Sequence, residues 1–211
     1  ERLGRWVDFE HNYKTMDCSF MESVWWGFKQ LYDKDSVYQG RKVVLYCPRC
    51  ATPLSNFEIA MDNSYEDVED NSVFIKFALK TPLTGEPEFF LAWTTTPWTL
   101  PGNVGLAVLP EADYVLVDGA ERGRVWVAAN RVDALFGDSK PEVLKSVLGK
   151  ELVNQHYTPL FEYVQSDKSN AWSVLPASFV SLDDGTGIVH TAAIFGEDDY
   201  NLAMQHNIPT I

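Results

Sequence analysis

The chain has 211 residues, of which 45% are hydrophobic and 22% charged, a balance that excludes a disordered protein and indicates a folded one. Its formal net charge of -13 argues against a domain that binds nucleic acid unaided, because Lys and Arg supply most of the affinity for phosphates. The three cysteines are too few for a disulfide framework, and no apolar run is long enough for a membrane span or a signal peptide. We therefore expect a cytoplasmic protein that does not bind a membrane.

A linker or appendage with one helix and one cysteine turn is predicted for residues 1–50. Ser19 and Glu22 match the capping-box pattern of a helix start, and apolar residues then recur at helical spacing. The predicted buried face consists of Met21, Val24, Trp25, Phe28, Leu31 and Tyr32. Residues 43–46 are predicted as a short buried strand, and the turn Cys47-Pro48-Arg49-Cys50 closes it.

Strands dominate the second predicted region, residues 51–211. It opens with a solvated acidic loop over residues 62–70, and from Ser72 apolar and basic side chains alternate as in a half-buried strand. Further strands are predicted at residues 89–93, 114–117, 125–127, 142–147, 172–175 and 187–190.

Two helices accompany these strands. The first spans residues 130–136, with Asn130 as its N-cap and Gly137 as its end, and the second spans residues 197–206. Many short strands with few helices predict a β-rich α+β fold. We expect a β-barrel-like core decorated with short helices, because closure removes exposed strand edges.

Residues 93–103 crowd four threonines, two tryptophans and two prolines into eleven positions. The prolines end a strand there, since each lacks an N–H donor and restricts the residue before it. In an extended chain Thr94 and Thr96 share one face and Thr95 the other, so a common pocket requires a bend near Pro97. Such hydroxyls can position water or hold a carbonyl oxygen, or they can be ordinary strand formers.

A glycine-rich turn, a strand and a helix start follow one another between residues 183 and 200. The Gly185-Thr186-Gly187 turn lacks a third glycine and precedes its strand, which disfavours dinucleotide binding. His190 can act as an acid, a base or a pocket wall, or it can be a hydrogen-bonded core histidine. The carboxylates of residues 197–199 offset the helix dipole, and one of them can also pair with the ammonium group of an amino acid.

Cys47 and Cys50 supply half the ligands of a tetrahedral zinc site. Because only Cys18 and four histidines remain, without a second pair at this spacing, we expect no bound metal and no cofactor in this chain. Thioredoxin-type redox chemistry is disfavoured by the missing βαβ context. A structural zinc module centred on this pair remains an alternative.

Residues 94–101, Thr-Thr-Thr-Pro-Trp-Thr-Leu-Pro, resemble the threonine-rich motif of the editing domains of isoleucyl-tRNA synthetases. Pro97 stands where the related valyl and leucyl enzymes have Arg, so the isoleucyl family is the closer one. The Gly-Thr-Gly, the His and the Gly-x-x-Asp of residues 185–199 follow in the same order as in that family, although Ala193 replaces its proline. Residues 2–8 and 20–26 also resemble segments of the isoleucyl-tRNA synthetase family.

The resemblance implies a hydrolase that removes valine from misacylated tRNA(Ile), and that acts as a monomer joined to the rest of the synthetase chain. It implies that Asp199, or the adjacent Asp198, binds the amino group of the substrate and that His190 helps to exclude isoleucine. The expected catalytic residues are Thr95, Thr96 and Asp199. The expected substrate-binding residues are Thr94, Trp98, Asn103, His190, Asp198 and Asp199.

The resemblance also implies that a second cysteine pair completes a zinc site with Cys47 and Cys50 in the full-length enzyme. Neither nucleotide signature of a complete synthetase is present, and nothing resembles a Ser-His-Asp or Cys-His set, so we expect neither aminoacylation nor a covalent intermediate. The main alternative is a non-catalytic β-barrel module that binds a small amine-bearing ligand through Asp199.

Overall fold

The computed structural model describes residue 4, residues 6–163, residue 166 and residues 169–210. Residues 2, 3 and 5 of the similar segment 2–8 lie outside this part of the chain. Two compact units are present, Glu1–Lys42 and Val43–Ile211. The predicted functional boundary after residue 50 stays a prediction.

Among its described residues, the first unit contains one helix, α1, at Cys18–Tyr32. The predicted capping box at Ser19 is wrong, because the helix begins one residue earlier, at Cys18, with Asp17 as N-cap and without a side-chain capping bond. The predicted buried face is also wrong, since α1 has no buried residue and Trp25 is 77% exposed. The helical spacing is confirmed, but the described residues of this short unit do not bury its apolar side chains.

A small cysteine-bearing hairpin begins the second unit. Strands β1 at Tyr46–Cys47 and β2 at Thr52–Pro53 pair antiparallel, and the short helix α2 follows at Asn56–Ile59. The predicted buried strand over residues 43–46 is wrong, because pairing starts only at Tyr46 and this ribbon of two short strands leaves it exposed. The acidic residues 62–70 are exposed, as predicted.

A five-stranded mixed sheet forms the larger part of the second unit. Its strands are β3 at Val73–Ala78, β4 at Phe89–Thr94, β6 at Asp113–Asp118, β7 at Arg124–Ala128 and β8 at Val143–Leu148. The spatial order is β3-β4-β7-β6-β8, in which only β4 and β7 run parallel. The strands predicted in these regions are confirmed within one or two residues at each end.

The second sheet has three strands, β5 at Gly105–Val108, β9 at Ser173–Pro176 and β10 at Ile188–Thr191, in the order β10-β5-β9. The β-rich α+β character is confirmed. A closed barrel is not what the described strands form, because both sheets are open. Residues 156 and 157 form single bridges, His156 with Ser173 of β9 and Tyr157 with Leu79, which follows β3.

Three short helices complete the second unit, α3 at Val132–Phe136, α4 at Gly149–Leu152 and α5 at Glu197–Gln205. The final helix and the end of α3 at Gly137 are confirmed. Asn130 is not the N-cap of α3, because its side-chain amide donates to the carbonyl of Leu182 at 3.0 Å. None of the described helices is long and apolar enough to cross a membrane.

Alternating strand residues fill three apolar clusters. The largest contains Phe77, Phe90, Leu106, Trp126 and Tyr157, all fully buried. A second cluster packs Leu202 and Ala203 of α5 against residues of β5 and β9, and α3 covers a third on the five-stranded sheet. Because α5 is held in this way, its first turn has a fixed position beyond the end of β10.

Candidate active site

The threonine segment turns sharply where β4 ends. The strand stops at Thr94, and a 3-10 helix spans Pro97–Gly102, which confirms the predicted bend at Pro97. The backbone N–H of Thr96 donates to Oγ1 of Thr94 at 3.1 Å, and the two hydroxyl oxygens lie 3.2 Å apart. Thr94 is buried, whereas Thr95 and Thr96 are exposed. The first threonine therefore holds the turn, and the next two lie at its exposed surface.

His190 joins this turn to strand β10. Its Nε2 lies 2.9 Å from Oγ1 of Thr99, and its Nδ1 lies 2.9 Å from the side-chain nitrogen of Asn103. Thr99 in turn donates its hydroxyl to the carbonyl of Thr96 at 2.8 Å. Burial lowers the pKa of His190 to about 4, so the imidazole is neutral at physiological pH.

These contacts are those of a hydrogen-bonded core histidine. An amide nitrogen only donates, so Nδ1 of His190 accepts and Nε2 carries the proton. With both ring nitrogens occupied and only 8% of the residue exposed, His190 is not available as a general acid or base. Its predicted place beside the substrate side chain stays a prediction.

Asn103 is the centre of this network. Its side-chain nitrogen also donates to the carbonyl of Gly105 at 2.9 Å, and its Oδ1 accepts the hydroxyl of Tyr157 at 2.6 Å. Trp172 donates from its indole to the backbone carbonyl of Asn103 at 3.1 Å. Sequence analysis identified Asn103 but missed Thr99 and Tyr157. Thr99 was visible as the fourth hydroxyl of the motif, whereas nothing in the sequence marked Tyr157.

Asp199 lies in the first turn of α5, after the N-cap Gly196. Its carboxylate folds back over that glycine so closely that a Cβ there would lie 2.5 Å from Oδ2. Burial and the neighbouring charge of Asp198 raise the pKa of Asp199 to about 6, although a hydrogen bond from the backbone of Ala192 opposes the rise. Asp199 is half-buried, whereas Asp198 is exposed. Among the described residues no cation pairs with Asp199.

The end of β10 brings the two predicted motifs together. His190 bonds to the threonine turn from within the strand, and Ala192, two residues further on, donates to Asp199. Exposed apolar side chains lie on both segments, with Trp98 64% exposed and Phe195 55% exposed. Hydroxyls, a carboxylate without a cation among the described residues and exposed apolar side chains thus occur on the two segments that β10 connects.

The cysteine turn carries a backbone hydrogen bond that is favourable for thiolate ligands, from the N–H of Cys50 to Sγ of Cys47 at 3.4 Å. All three cysteines are free. No group of three or more metal-ligating side chains occurs in the described ranges. The expected half zinc site therefore stays a prediction.

Comparisons with known proteins agree on one family. The family model for class I tRNA synthetases (I, L, M and V) matches residues 1–202. The isoleucine–tRNA ligase of Chlamydia trachomatis serovar A is 47% identical over 214 residues, covering 100% of this chain and 20% of the relative. The cytoplasmic isoleucine–tRNA ligase of Mus musculus is 47% identical over 210 residues, covering 98% and 16%. The chain thus spans about a fifth of the length of these relatives.

Solved structures share the fold at low sequence identity. The crystal structure of GlLeuRS-CP1 is similar with a TM-score of 0.53 at 19% identity, covering 66% of each chain. The cytosolic leucyl-tRNA synthetase editing domain of P. knowlesi has a TM-score of 0.51 at 16% identity, covering 64% of this chain and 62% of that one. By the family model over residues 1–202, the chain belongs to the class I tRNA synthetases, among which the isoleucine–tRNA ligases are similar over almost its whole length.

Proposed function

We propose that this chain is the editing domain of an isoleucine–tRNA ligase and hydrolyses the ester bond between valine and tRNA(Ile). The observation that carries the proposal is the half-buried carboxylate of Asp199, which has no cation among the described residues. It lies beyond the end of β10, the strand whose His190 bonds to Thr99, and Thr99 in turn holds the backbone carbonyl of Thr96 in the exposed threonine turn.

The need for such a site follows from the size of the substrates. A pocket built for isoleucine discriminates against valine by only about 1 to 3 kcal/mol, a limit for one methylene of which the isoleucine enzyme is itself the standard example. A second pocket that admits valine but not isoleucine removes the error. The family membership of the chain and its likeness in fold to an editing domain support this role.

Asp199 is the group that would recognise the amino end of the substrate. An aminoacyl ester carries a free ammonium, and a carboxylate with few donors of its own forms a strong charge-assisted contact with it. The ammonium also restores the ionised form that burial disfavours, so that binding lowers the pKa of Asp199 from about 6. Valyl-adenylate carries the same ammonium and is a second proposed substrate.

Thr95 and Thr96 would act on the ester itself, by positioning a water molecule or the ester carbonyl. In the reaction the water oxygen bonds to the carbonyl carbon, the ester C–O bond breaks, and the ribose oxygen takes up a proton. His190 is neutral and uses both nitrogens, so it is not the base. We propose that the neighbouring hydroxyl of the terminal ribose assists the water, without a covalent intermediate.

The remaining parts of a synthetase would hold the tRNA, because a chain with a net charge of -13 attracts phosphates poorly. The exposed apolar side chains of α1 are consistent with packing on those parts. We also propose that a second cysteine pair there completes a zinc site with Cys47 and Cys50.

Hydrolysis assays on a full-length isoleucine–tRNA ligase that contains this chain test the proposal, because the other parts of the enzyme would hold the tRNA. Valyl-tRNA(Ile) and isoleucyl-tRNA(Ile) are incubated with the enzyme and with its Asp199→Ala variant, and release of each amino acid is followed against the uncatalysed rate. We expect the enzyme to release valine and to retain isoleucine, and the variant to lose valine release. Equal release of both amino acids would contradict the selectivity, and release of neither by the full-length enzyme would contradict catalysis.

The non-catalytic binding module is distinguished by a second measurement. A valyl-adenosine analogue with an amide in place of the ester binds an editing site without turnover, and calorimetry measures its affinity. Binding of the analogue without valine release from valyl-tRNA(Ile) would support the binding module. Binding together with release supports hydrolysis.

A further inference from the structure

We propose that Tyr157 and Thr99 are positioning residues of this site, which orient the threonine turn through a chain of hydrogen bonds with a single direction. The hydroxyl of Tyr157 donates to Oδ1 of Asn103 at 2.6 Å, and the amide of Asn103 donates to Nδ1 of His190 at 2.9 Å. Nε2 of His190 then donates to Thr99 at 2.9 Å, and Thr99 donates to the carbonyl of Thr96 at 2.8 Å. The inference rests on the proposed function.

The direction of the hydrogen bonds, from Tyr157 towards Thr96, is fixed by groups that can only donate or only accept. The carbonyl of Thr96 only accepts, so the hydroxyl of Thr99 donates to it and must itself accept from His190. The amide of Asn103 cannot be reversed, because its oxygen would then face the carbonyl oxygen of Gly105 at 2.9 Å. The imidazole of His190 is therefore held as the Nε2–H tautomer.

Burial makes each link of the chain costly to break. Tyr157 is fully buried, and Asn103 and Thr99 are 6% and 8% exposed. A buried acceptor or donor that loses its partner in such surroundings cannot turn to water instead. The network therefore favours one arrangement of the turn over its alternatives, as fully satisfied buried polar networks do.

The series of hydrogen bonds ends at the carbonyl of Thr96, in the peptide group that precedes Pro97. Because proline has no N–H, the backbone of this bend has few bonds of its own, and Thr99 holds the Thr96 carbonyl with both its hydroxyl at 2.8 Å and its backbone N–H at 3.0 Å. Removal of the hydroxyl alone leaves the backbone bond in place. Thr99→Val should therefore keep the fold and change the orientation of the exposed Thr95 and Thr96.

Kinetics on conservative variants separate positioning from folding. In the full-length enzyme, Thr99→Val is expected to lower kcat for valine release about ten-fold, with KM within about two-fold, and Thr99→Ser is expected to restore most of kcat. Tyr157→Phe is expected to lower kcat less than Thr99→Val does. Tyr114→Phe is the matched control, because this buried hydroxyl donates to the carbonyl of Gly187 at 2.6 Å outside the chain of bonds.

The tautomer of His190 gives a readout that does not depend on catalysis. Nitrogen chemical shifts of the imidazole are expected to show a protonated Nε2 in the wild type, in Tyr114→Phe and in Tyr157→Phe, because the carbonyl of Gly105 still fixes the amide of Asn103 when the Tyr157 hydroxyl is absent. A wild-type Nδ1–H tautomer would overturn the inference. So would wild-type kcat in both Thr99→Val and Tyr157→Phe while valine release by the wild type is intact. Absence of release by the wild type would instead overturn the proposed function, and the positioning role with it.

Discussion

Two carboxylates of the second unit, one buried and one half-buried, differ in the hydrogen-bond donors around them. Glu88 is 1% exposed and accepts hydrogen bonds from the backbone and hydroxyl of Thr84, each at 2.6 Å, and from the indole of Trp126 at 2.8 Å. Asp199 is only half-buried but has one backbone donor, at Ala192, and a like charge beside it. The carboxylate of Glu88 therefore has hydrogen-bond donors for both oxygens, whereas the carboxylate of Asp199 has few.

The pKa values follow from this difference. Burial alone would raise the pKa of Glu88, but the bonds from Thr84 and Trp126 bring it below its usual value. Burial and Asp198 raise the pKa of Asp199 to about 6, because one donor does not offset them. A carboxylate that is already satisfied stabilises the fold, whereas one that lacks donors is open to a ligand cation.

The largest expected effect concerns the open carboxylate. Asp199→Asn is expected to lower kcat/KM for valine release about 100-fold, through loss of a charge-assisted contact worth about 3 kcal/mol. The free energy of unfolding should not fall, because the variant removes a charge that burial disfavours. Release assays and urea unfolding measure the two effects. Asp198→Asn is the matched control, since this neighbour is exposed, and an equal loss in that variant would contradict the assignment.

The satisfied carboxylate should show the reverse pattern. Glu88→Gln is expected to lower the free energy of unfolding by about 2 kcal/mol, because the amide nitrogen meets donors where the carboxylate accepted. Valine release per folded molecule should remain unchanged. Urea unfolding compares this variant with Glu86→Gln, which alters an exposed carboxylate and should shift stability by less than about 0.5 kcal/mol. Equal stability of Glu88→Gln and Glu86→Gln would contradict the claim that the hydrogen bonds of Glu88 stabilise the fold.

Acid sharpens the comparison because the two carboxylates respond to pH with opposite signs. Asp199 must be ionised to bind an ammonium, so valine release should rise with pH through about 6 and lose this step in Asp199→Asn. Stability from Glu88 is present above its usual pKa of 4.5 and is lost as pH falls. The raised pKa of Asp199 has the opposite effect on stability. Its ionised carboxylate destabilises the fold above about pH 6, and this destabilisation disappears as pH falls towards 3.8.

His190 adds to the acid loss. Its pKa falls from 6.5 to about 4 on folding, so stability on the order of 3 kcal/mol is present above pH 6.5 and is lost as pH falls towards 4. Unfolding of Asp199→Asn, which lacks the opposing contribution of Asp199, should show a steady decline in stability from pH 7 to 5.5 and 4.5. A flat profile would indicate that His190 is solvated rather than buried.

The smallest expected effect lies at the cysteine turn. Cys47→Ser should change neither valine release nor the unfolding free energy by more than about 0.5 kcal/mol, because the turn is exposed and no third metal ligand stands near it among the described residues. Release assays with and without added zinc measure this. A large loss of activity would link the cysteine turn to the catalytic region.

Much of the fold could be predicted from local patterns. The alternation from Val73 and the turn signals predicted the strands of the five-stranded sheet and the two outer strands of the second sheet, and Pro97 predicted the bend. The central strand of the second sheet, β5 at Gly105–Val108, was not predicted. What failed depended on partners distant in sequence. Asn130 matches an N-cap locally, but its amide bonds to a carbonyl 52 residues away. The apolar spacing of α1 was correct, yet spacing alone does not say whether other residues will cover a helix.

The candidate site was predicted in part, as the fold was. Motif residues such as Thr96 and Asp199 were assigned because the distinctive residues around them resemble the motifs of a family, and their roles stay predictions. Tyr157 was missed because its bond to Asn103 spans 54 residues, and no local pattern marks it. The occupied nitrogens of His190 were equally invisible, since they depend on two side chains about 90 residues away. Sequence identifies the groups that can react, whereas the fold decides which of them remain free to do so.

The pKa of Asp199 in the presence and absence of a bound amine tests the central claim most directly. Carboxyl carbon chemical shifts of the 211-residue chain can be titrated alone and with the amide analogue of valyl-adenosine. We predict a pKa of about 6 in the free chain and a clear fall when the analogue binds. An unchanged pKa in the complex, or equally tight binding by Asp199→Asn, would contradict the claim that this carboxylate receives the substrate ammonium.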